Sequence, residues 1–377
     1  MKKLEHLEKT IDLYDPNIAR IFLPWAFRHP KYIRSFLRLR KSYLLSEKIR
    51  KNRLEEGIKI PPFLILSITS KCNLKCNGCY AVAAGNITQK NALAKRALDL
   101  KQWISIIKEA SEIGVFGFVV AGGEPFLYPD LIKLFKEFKN RFFVVITNGT
   151  LIKERDYETL KKLGNIAIIV SLEGDENLTD DRRGKGVFER AMNTLKKLNS
   201  FGVINGTSVT VTRANYEFWM NDKNIDDLIE KGIRVGVFIE HIPTTSEKQD
   251  FDLMLTRQER KKFRAKMLNY RETKSIYIVH SPGDEEFFGG CISAGRGFAH
   301  ITPAGDLTPC PVSNIATHNL TNSTLLEGLA SPLFKKIREN EHLLEIEGMP
   351  CALFAHPKEV DELAQSVGAY KTDMSIK

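Results

Sequence analysis

Short apolar runs alternate with amphipathic stretches along the middle of the chain. Apolar runs of strand length occupy residues 63–69, 115–123, 141–149, 165–174, 207–215 and 233–243. Stretches with helical periodicity lie between them at residues 100–114, 131–140, 157–164, 188–202 and 224–232. Strands that alternate with helices form parallel sheets with right-handed crossovers. The pattern therefore predicts an α/β fold, which we interpret as a partial (βα)6 barrel of the TIM type.

Polar residues recur where these apolar runs end. They are Thr69, Ser70, Gly122, Gly123, Glu124, Thr147, Asn148, Gly149, Ser171, Glu173, Thr212, Glu240 and His241. The carboxyl ends of parallel strands share one edge of the sheet, and α/β folds form their sites at that edge. The sequence therefore predicts that these residues surround one functional site.

The pattern is different before the first strand. Residues 28–53 contain ten Lys and Arg residues and one acidic residue, Glu47. Apolar residues fall near helical spacing at Ile33, Phe36, Leu37 and Leu44. This spacing predicts one basic amphipathic helix, which ends before the Pro61-Pro62 pair.

The βα alternation also fades after Pro243. Residues 255–270, 324–340 and 359–366 have helical patterns, residues 275–280 resemble a strand, and residues 297–310 resemble a hairpin. We therefore divide the chain into a basic helical segment (1–58), a six-unit core (59–245) and a C-terminal region (246–377).

Composition and charge narrow the setting of the protein. The chain is 43% hydrophobic and 27% charged, which is ordinary for a globular protein, and its formal net charge is +10. No run approaches the length of a membrane-spanning helix, and the N-terminus lacks the apolar core of a signal peptide. We therefore expect a cytoplasmic protein.

Three interpretations of the basic segment remain open. It can pack across the barrel with a solvated basic face, lie on a membrane surface and deliver the enzyme to a lipid-like substrate, or bind an anionic partner such as RNA or an acidic electron donor. No nucleic-acid motif is present, so RNA is the least favoured of these partners.

Six cysteines in a cytosolic chain favour metal binding or catalysis over disulfides. Cys72, Cys76 and Cys79 form a C-x3-C-x2-C motif directly after the first predicted strand. Three thiolates in one loop can hold three corners of an iron–sulfur cubane and leave the fourth iron open. The alternative is a zinc or incidental cysteine cluster, although zinc sites prefer paired motifs.

This motif, followed by an aromatic residue, resembles that of the radical S-adenosylmethionine (SAM) superfamily. The Gly-Gly-Glu-Pro sequence at 122–125 and the Asp180-to-Gly186 stretch resemble further motifs of that family. The resemblance implies a [4Fe–4S] cluster on Cys72, Cys76 and Cys79, with SAM bound to its unique iron. It also implies that SAM is cleaved reductively to a 5′-deoxyadenosyl radical. The residues that it implies for SAM binding are Tyr80, Gly122, Gly123, Glu124, Asn148, Ser171, Glu173, Arg183 and Thr212.

The other three cysteines resemble a family extension. Cys291, Gly305 and Cys310 match the C-x(9–15)-G-x4-C signature of SPASM and twitch regions, and Cys351 follows. The resemblance implies one auxiliary [4Fe–4S] cluster on Cys291, Cys310 and Cys351, of the twitch type. Its fourth iron would be open or held by a non-cysteine ligand, for which His300, His318 and His356 are candidates. The alternative is a set of buried free cysteines.

Together these features predict a radical SAM oxidoreductase that abstracts hydrogen from an unidentified peptide, lipid-like or small-molecule substrate. Glu240 and His241 are candidates for substrate contact or proton transfer, or form an ordinary loop ion pair. An acidic ferredoxin or flavodoxin would complement the positive charge as electron donor. The alternative function is a non-catalytic iron–sulfur or zinc protein that binds an anionic partner.

Overall fold

A nine-stranded sheet forms the centre of the molecule. The computed structural model describes residues 16–87, 96–243, 251–346 and 348–373. The strands of the sheet are β1 (Phe63–Ser67), β2 (Gly117–Ala121), β3 (Phe142–Thr147), β4 (Ile166–Ser171), β5 (Ile204–Val211), β6 (Val235–Glu240), β7 (Tyr277–Ser281), β8 (Phe298–Ile301) and β9 (Leu307–Thr308). Their order is β7-β6-β5-β4-β3-β2-β1-β8-β9. All neighbouring strands are parallel except β8 and β9, which are antiparallel.

Helices connect the strands. They are α1 (Pro16–Arg28), α2 (Lys31–Glu55), α3 (Tyr80–Ala83), α4 (Leu100–Glu112), α5 (Leu131–Glu137), α6 (Glu154–Leu163), α7 (Glu176–Arg183), α8 (Val187–Phe201), α9 (Tyr216–Met220), α10 (Asp222–Glu230), α11 (Arg257–Thr273), α12 (Leu325–Leu329), α13 (Pro332–Glu339), α14 (Ala352–Ala355) and α15 (Pro357–Ser366). A two-stranded sheet joins β10 (Ile315–Ala316) to β11 (Tyr370–Lys371). The α/β fold and the six predicted core strands are confirmed.

The core lies between the sheet and its helices. β4 is buried along its whole length, as expected for a central strand covered on both faces. Helix α4 begins with a capping box between Asp99 and Gln102 and buries Trp103 and Ile107 against the sheet. Local capping and apolar periodicity therefore agree in this unit, which explains why its boundaries were predictable.

The C-terminal region extends the sheet at both edges. β7 pairs with β6, whereas β8 pairs with β1, and the predicted strand and hairpin are confirmed. The single helix predicted near 324–340 is wrong. Ser331 caps a new helix by accepting from the Phe334 N–H, and Pro332 occupies its first turn, so α12 and α13 are separate.

The N-terminal segment forms two helices, because the chain bends at His29-Pro30 between α1 and α2. The polar side of α2 faces inward. Arg50 donates to the Gly114 carbonyl at 2.8 Å, and Arg38 donates to the Leu163 carbonyl at 3.3 Å. Both carbonyls lie just before strands, at the N-terminal ends of β2 and β4. Helix α2 therefore caps the end of the sheet opposite the strands' carboxyl ends.

This packing places the apolar residues of α2 differently from a usual amphipathic helix. Ile33, Phe36, Leu37 and Leu44 are exposed, whereas Tyr32, Ser35, Tyr43, Ser46 and Arg50 are buried. One physical reason is that the covered surface includes loop carbonyls, at Lys139, Leu163 and Gly114, which hydrogen-bond donors can satisfy and leucine cannot. Within the described ranges, no helix combines the length and apolar character needed to cross a membrane.

Candidate metal and SAM site

The loop that carries Cys72, Cys76 and Cys79 begins directly after β1, and all three thiols are free and partly buried. The turn after β2 holds this loop. Gly123 donates its N–H to the Thr69 carbonyl and Glu124 donates to the Lys71 carbonyl, both at 2.8 Å. The two turns therefore form one rigid unit at the carboxyl edge of the sheet.

Gly122 and Gly123 are required by this contact. A Cβ on Gly123 would lie 2.0 Å from the Lys71 carbonyl oxygen, and one on Gly122 would lie 2.8 Å from the Thr69 carbonyl oxygen. Gly122 also has a φ of +117°, which side-chain-bearing residues rarely adopt. The resemblance implies SAM binding for these two glycines, and the structure shows that their lack of a side chain lets the cysteine loop approach.

Helix α7 holds the other side of the cysteine loop. Asn77 donates its backbone N–H to the Arg182 carbonyl at 2.9 Å, and the Arg182 guanidinium donates to the Gly78 carbonyl at 3.2 Å. Sequence reasoning did not predict this helix. Its one local signal is Asp175, whose side chain caps the first turn by accepting from the Leu178 N–H.

Burial raises the pKa values of Cys72 and Cys76, and neighbouring groups partly counteract this effect. Burial raises the pKa of Cys76, while Arg183 and Arg182 act to lower it. Burial likewise raises the pKa of Cys72 to about 11, and the Leu74 N–H that points at its sulfur partly offsets this effect. A bound cation would therefore be needed to hold these groups as thiolates at neutral pH.

Glu124 is a buried carboxylate beside the cysteine loop. Its Oε1 accepts from the Thr147 hydroxyl at 2.6 Å and from the Phe126 N–H at 3.0 Å, and its Oε2 accepts from the Asn148 N–H at 2.8 Å. A carboxylate oxygen has two acceptor positions, so these bonds fix Glu124 and leave capacity at Oε2. The Asn148 side chain donates to Asn73 at 2.9 Å and so braces the cysteine loop.

Glu173 forms a second buried group with two arginines. Its Oε1 lies 2.7 Å from Nη1 of Arg182 and 2.6 Å from Nη2 of Arg183. Burial raises the pKa values of Glu124 and Cys76, and the charge of Arg183 acts to lower both. The structure thus gathers most of the predicted SAM-binding residues at one edge, and it assigns Arg183 a partner that sequence reasoning missed.

The remaining predicted residues lie at the same edge. Ser171 and Thr212 are buried at the ends of β4 and β5, and the Thr212 N–H donates to the Asn215 side chain at 2.8 Å. Tyr80 starts α3 immediately after Cys79.

Glu240 and His241 have different surroundings. Glu240 is buried and contacts Nε of Arg260 at 2.5 Å and Nε2 of His280 at 3.0 Å. His241 is also buried, and a Cβ added to Gly78 would lie 3.4 Å from its Cε1. His241 therefore lies against the cysteine loop, whereas the carboxylate of Glu240 is held within a buried ion pair.

The second set of cysteines comes together from three separate segments. Cys291, Cys310 and Cys351 are buried and free, and their charges interact with one another. The Cys291 N–H donates to the Leu344 carbonyl at 2.8 Å, which links the segment before β8 to the segment before Cys351. Sequence reasoning missed a buried carboxylate among these thiols, Glu285.

The histidines considered as further ligands have other contacts. His300 is buried, and its two ring nitrogens lie 2.8 Å from the Ser67 hydroxyl and 2.7 Å from the Thr308 hydroxyl. Nδ1 of His318 lies 2.9 Å from the Thr317 hydroxyl. His356 lies against His342, with a ring-centroid distance of 4.0 Å.

The spacing of the cysteine sulfur atoms differs from that in a site for a single metal ion. A tetrahedral zinc ion lies about 2.3 Å from each sulfur, which requires sulfur atoms roughly 4 Å apart. Among the residues that the structure describes, ligand atoms within 4.8 Å of one another occur in the group His342, His356 and Glu359 and in neither cysteine set. Within the described residues, neither cysteine set therefore has the close spacing that one tetrahedral ion requires.

Comparison with known proteins agrees with this geometry. Residues 66–230 match the model of the radical SAM superfamily. The chain is 30% identical over 187 residues to the sporulation killing factor maturation protein SkfB of Bacillus subtilis, covering 48% of this chain and 42% of SkfB. It is 30% identical over 173 residues to the Fe-coproporphyrin III synthase of Methanosarcina barkeri, covering 45% and 42%. The chain thus spans less than half the length of these two relatives.

Other similarities extend further along the chain. The mycofactocin maturase MftC of Mycolicibacterium smegmatis is 25% identical over 317 residues, covering 76% of this chain and 75% of MftC. The crystal structure of Streptococcus suis SuiB bound to the precursor peptide SuiA superposes with a TM-score of 0.63 at 21% identity, covering 79% of this chain and 71% of SuiB. This structural match supports the partial barrel fold. The match to the radical SAM superfamily model, over residues 66–230, spans the cysteine loop and the strand ends around it.

Proposed function

We propose that this protein is an enzyme that binds a [4Fe–4S] cluster through Cys72, Cys76 and Cys79 and cleaves SAM reductively. The observation that carries this proposal is the cysteine loop itself. Its three thiols are held on a rigid turn at the carboxyl edge of a parallel sheet, beside a buried carboxylate and two arginines. When bound, the cluster supplies an electron that splits SAM into methionine and a 5′-deoxyadenosyl radical, which takes a hydrogen atom from the substrate.

The proposed roles of the surrounding residues follow from their charges. Glu124 accepts from the SAM ammonium with the remaining capacity of Oε2, since its other positions are filled by the protein. Arg183 faces the SAM carboxylate, because a guanidinium suits that group. Glu173 holds Arg183 in place. The edge residues Tyr80, Ser171 and Thr212 complete the site, with Tyr80 beside the adenine.

Gly122, Gly123 and Asn148 act indirectly in this proposal, since their contacts position the cysteine loop. His241 is the better candidate for substrate contact or proton transfer, because its ring lies against Gly78 of that loop. Glu240 serves as a positioning residue through Arg260 and His280. An auxiliary [4Fe–4S] cluster on Cys291, Cys310 and Cys351 completes the proposed cofactors.

We propose that the chain consists of a basic helical segment (1–58), a six-unit core (59–245) and a C-terminal region (246–377). The substrate is proposed to be a peptide or a small molecule, because relatives include a maturation protein and a synthase. A small acidic ferredoxin or flavodoxin is the proposed electron donor, because the chain carries a net charge of +10.

Anaerobic reconstitution with iron and sulfide tests the proposed activity. With SAM and either dithionite or reduced flavodoxin, we expect 5′-deoxyadenosine and methionine in equal amounts and about eight irons per chain, four for each cluster. Bound zinc with no 5′-deoxyadenosine would instead favour the non-catalytic alternative.

We also propose that the outer face of α2 binds an anionic membrane surface. Leu37 and Leu44 are 56% and 48% exposed, and Lys41 and Lys48 are exposed on the same helix. Exposed apolar residues among lysines favour interfacial binding. Since α2 lies at the end of the sheet opposite the cysteine loop, this binding would anchor the protein and would not present a lipid to the site.

Co-sedimentation with vesicles of mixed neutral and anionic lipids tests this proposal. Leu37→Ser combined with Leu44→Ser should lower the partition coefficient by about tenfold, because two leucine side chains no longer enter the interface. The matched control is Leu253→Ser, an exposed leucine outside α2. Equal binding of both variants would contradict a role for this face.

A further inference from the structure

We propose that Glu285 is the fourth protein ligand of the auxiliary cluster, completing the set of Cys291, Cys310 and Cys351. This inference rests on the proposed auxiliary cluster and assigns a residue to its remaining iron. It concerns a carboxylate that carries no metal-binding signature in the sequence, since Glu285 lies in an acidic run, Asp284-Glu285-Glu286, six positions before Cys291.

The fold holds Glu285 in the interior. Glu285 lies in a short 3-10 helix (Gly283–Phe288) that follows β7, and only 7% of the residue is exposed. Its Oε1 accepts from the Ser281 hydroxyl at 3.2 Å, and its Oε2 accepts from the Ile292 N–H at 3.2 Å. Each oxygen therefore has one partner and one remaining acceptor position.

Backbone contacts hold Glu285 beside the segments that carry the three cysteines. The Gly290 N–H donates to the Glu285 carbonyl at 3.0 Å, so the acidic turn folds directly onto the segment of Cys291. The Ala294 N–H donates to the Pro309 carbonyl at 3.0 Å, and the Cys291 N–H donates to the Leu344 carbonyl at 2.8 Å. These contacts bring the segments that lead to Cys310 and Cys351 to the same place. The carboxylate oxygens of Glu285 can bind iron.

Among the residues that the structure describes, no cation forms a direct ion pair with this carboxylate. Arg296 is the nearby cation, but its guanidinium donates to the carbonyls of Cys291 and Phe288. A buried carboxylate without a hydrogen-bonded cation is costly. An iron ion at the convergence of the thiols would supply the missing positive charge.

The histidines are less suitable for the same position. Both ring nitrogens of His300 contact hydroxyls, which leaves neither directed at a metal. His356 contacts Glu359 at 3.5 Å in a separate group with His342. A purely structural role for Glu285, as an anchor of the turn through Ser281 and Ile292, is the competing explanation that the experiment must separate.

The test uses the full-length chain in which Cys72, Cys76 and Cys79 are replaced by alanine, so that only the auxiliary cluster is observed. In this background we expect about four irons per chain and the spectrum of a [4Fe–4S] cluster. Glu285→Gln should lower the iron content to about three and give the electron paramagnetic resonance signal of an oxidised [3Fe–4S] cluster. Glu285→Cys should restore about four irons, because a thiolate can replace the carboxylate.

Glu286→Gln is the matched control. Glu286 follows directly in the same turn, is half-exposed and pairs with Arg264, so its replacement should leave the iron content and the spectrum unchanged. An unchanged spectrum in both Glu285 variants would assign Glu285 to the turn alone and overturn the proposal. If the triple-alanine chain with Glu285 intact bound no cluster, the proposed auxiliary cluster itself would be refuted. SAM cleavage by the wild-type chain tests the first cysteine site separately.

Discussion

Replacing Cys76 with alanine is expected to abolish SAM cleavage and to remove only the cluster of the SAM site. Cys76 is the middle one of the three partly buried thiols on the loop after β1. With two thiols left on the loop, an open-sided cubane loses one of its three protein ligands. Formation of 5′-deoxyadenosine should fall to the background of the iron-free protein, and bound iron should fall from about eight to about four per chain.

The complementary variant is Cys310→Ala, which removes a buried thiol of the second set. It should lower the iron content by a similar amount, while the electronic spectrum of the SAM-site cluster and its change on adding SAM persist. If Cys76→Ala still cleaved SAM at a rate near that of the wild type, the assignment of the first site would be wrong. If both variants lost all iron but kept the circular dichroism spectrum of the wild type, the two clusters would not bind independently as proposed.

The parts of the fold that sequence predicted are those set by local patterns. β4 and β2 are unbroken apolar runs bounded by turn residues, and this pattern has few structural interpretations. Once the strands are parallel, the position of Glu124, Ser171 and Glu173 at one edge follows from topology alone. This is why most of the candidate site could be located without coordinates.

The parts that sequence did not predict depend on contacts between distant segments. Glu285 lies beside the segment of Cys291 because the turn after β7 folds back onto that segment, and no local pattern encodes this contact. The pairing of Arg183 with Glu173 is similar, since either residue could have faced solvent. The inward face of α2 was not predicted, because this helix buries Ser46 and Arg50 against loop carbonyls, and the periodicity of apolar residues does not identify a polar inner face.

Replacing Gly123 with alanine is expected to destabilise the fold and to disrupt the cysteine loop together. The added Cβ would lie 2.0 Å from the Lys71 carbonyl oxygen and 2.5 Å from the Lys71 carbonyl carbon, so backbone has to move. Gly123 does not lie in the left-handed region, so the effect is steric alone. We expect a loss of about 3 kcal/mol in the free energy of unfolding of the apoprotein, measured by denaturant titration.

The same displacement should reach the metal site, because the contact to Lys71 is made one residue before Cys72. After reconstitution, the Gly123→Ala protein should hold about half of the wild-type iron, with the auxiliary cluster retained. Gly57→Ala is the control, since Gly57 has a φ of +82° and no atom within 4 Å of its added Cβ. That variant should lose only about 1 kcal/mol in stability, from backbone strain, and should keep all its iron.

If Gly123→Ala matched Gly57→Ala in stability and iron content, the cysteine loop would not depend on the turn after β2. A change in stability with full iron content would mean that the loop adjusts without losing its ligand geometry. Loss of both is expected, because the Gly123 and Glu124 N–H bonds connect β2 to the cysteine loop.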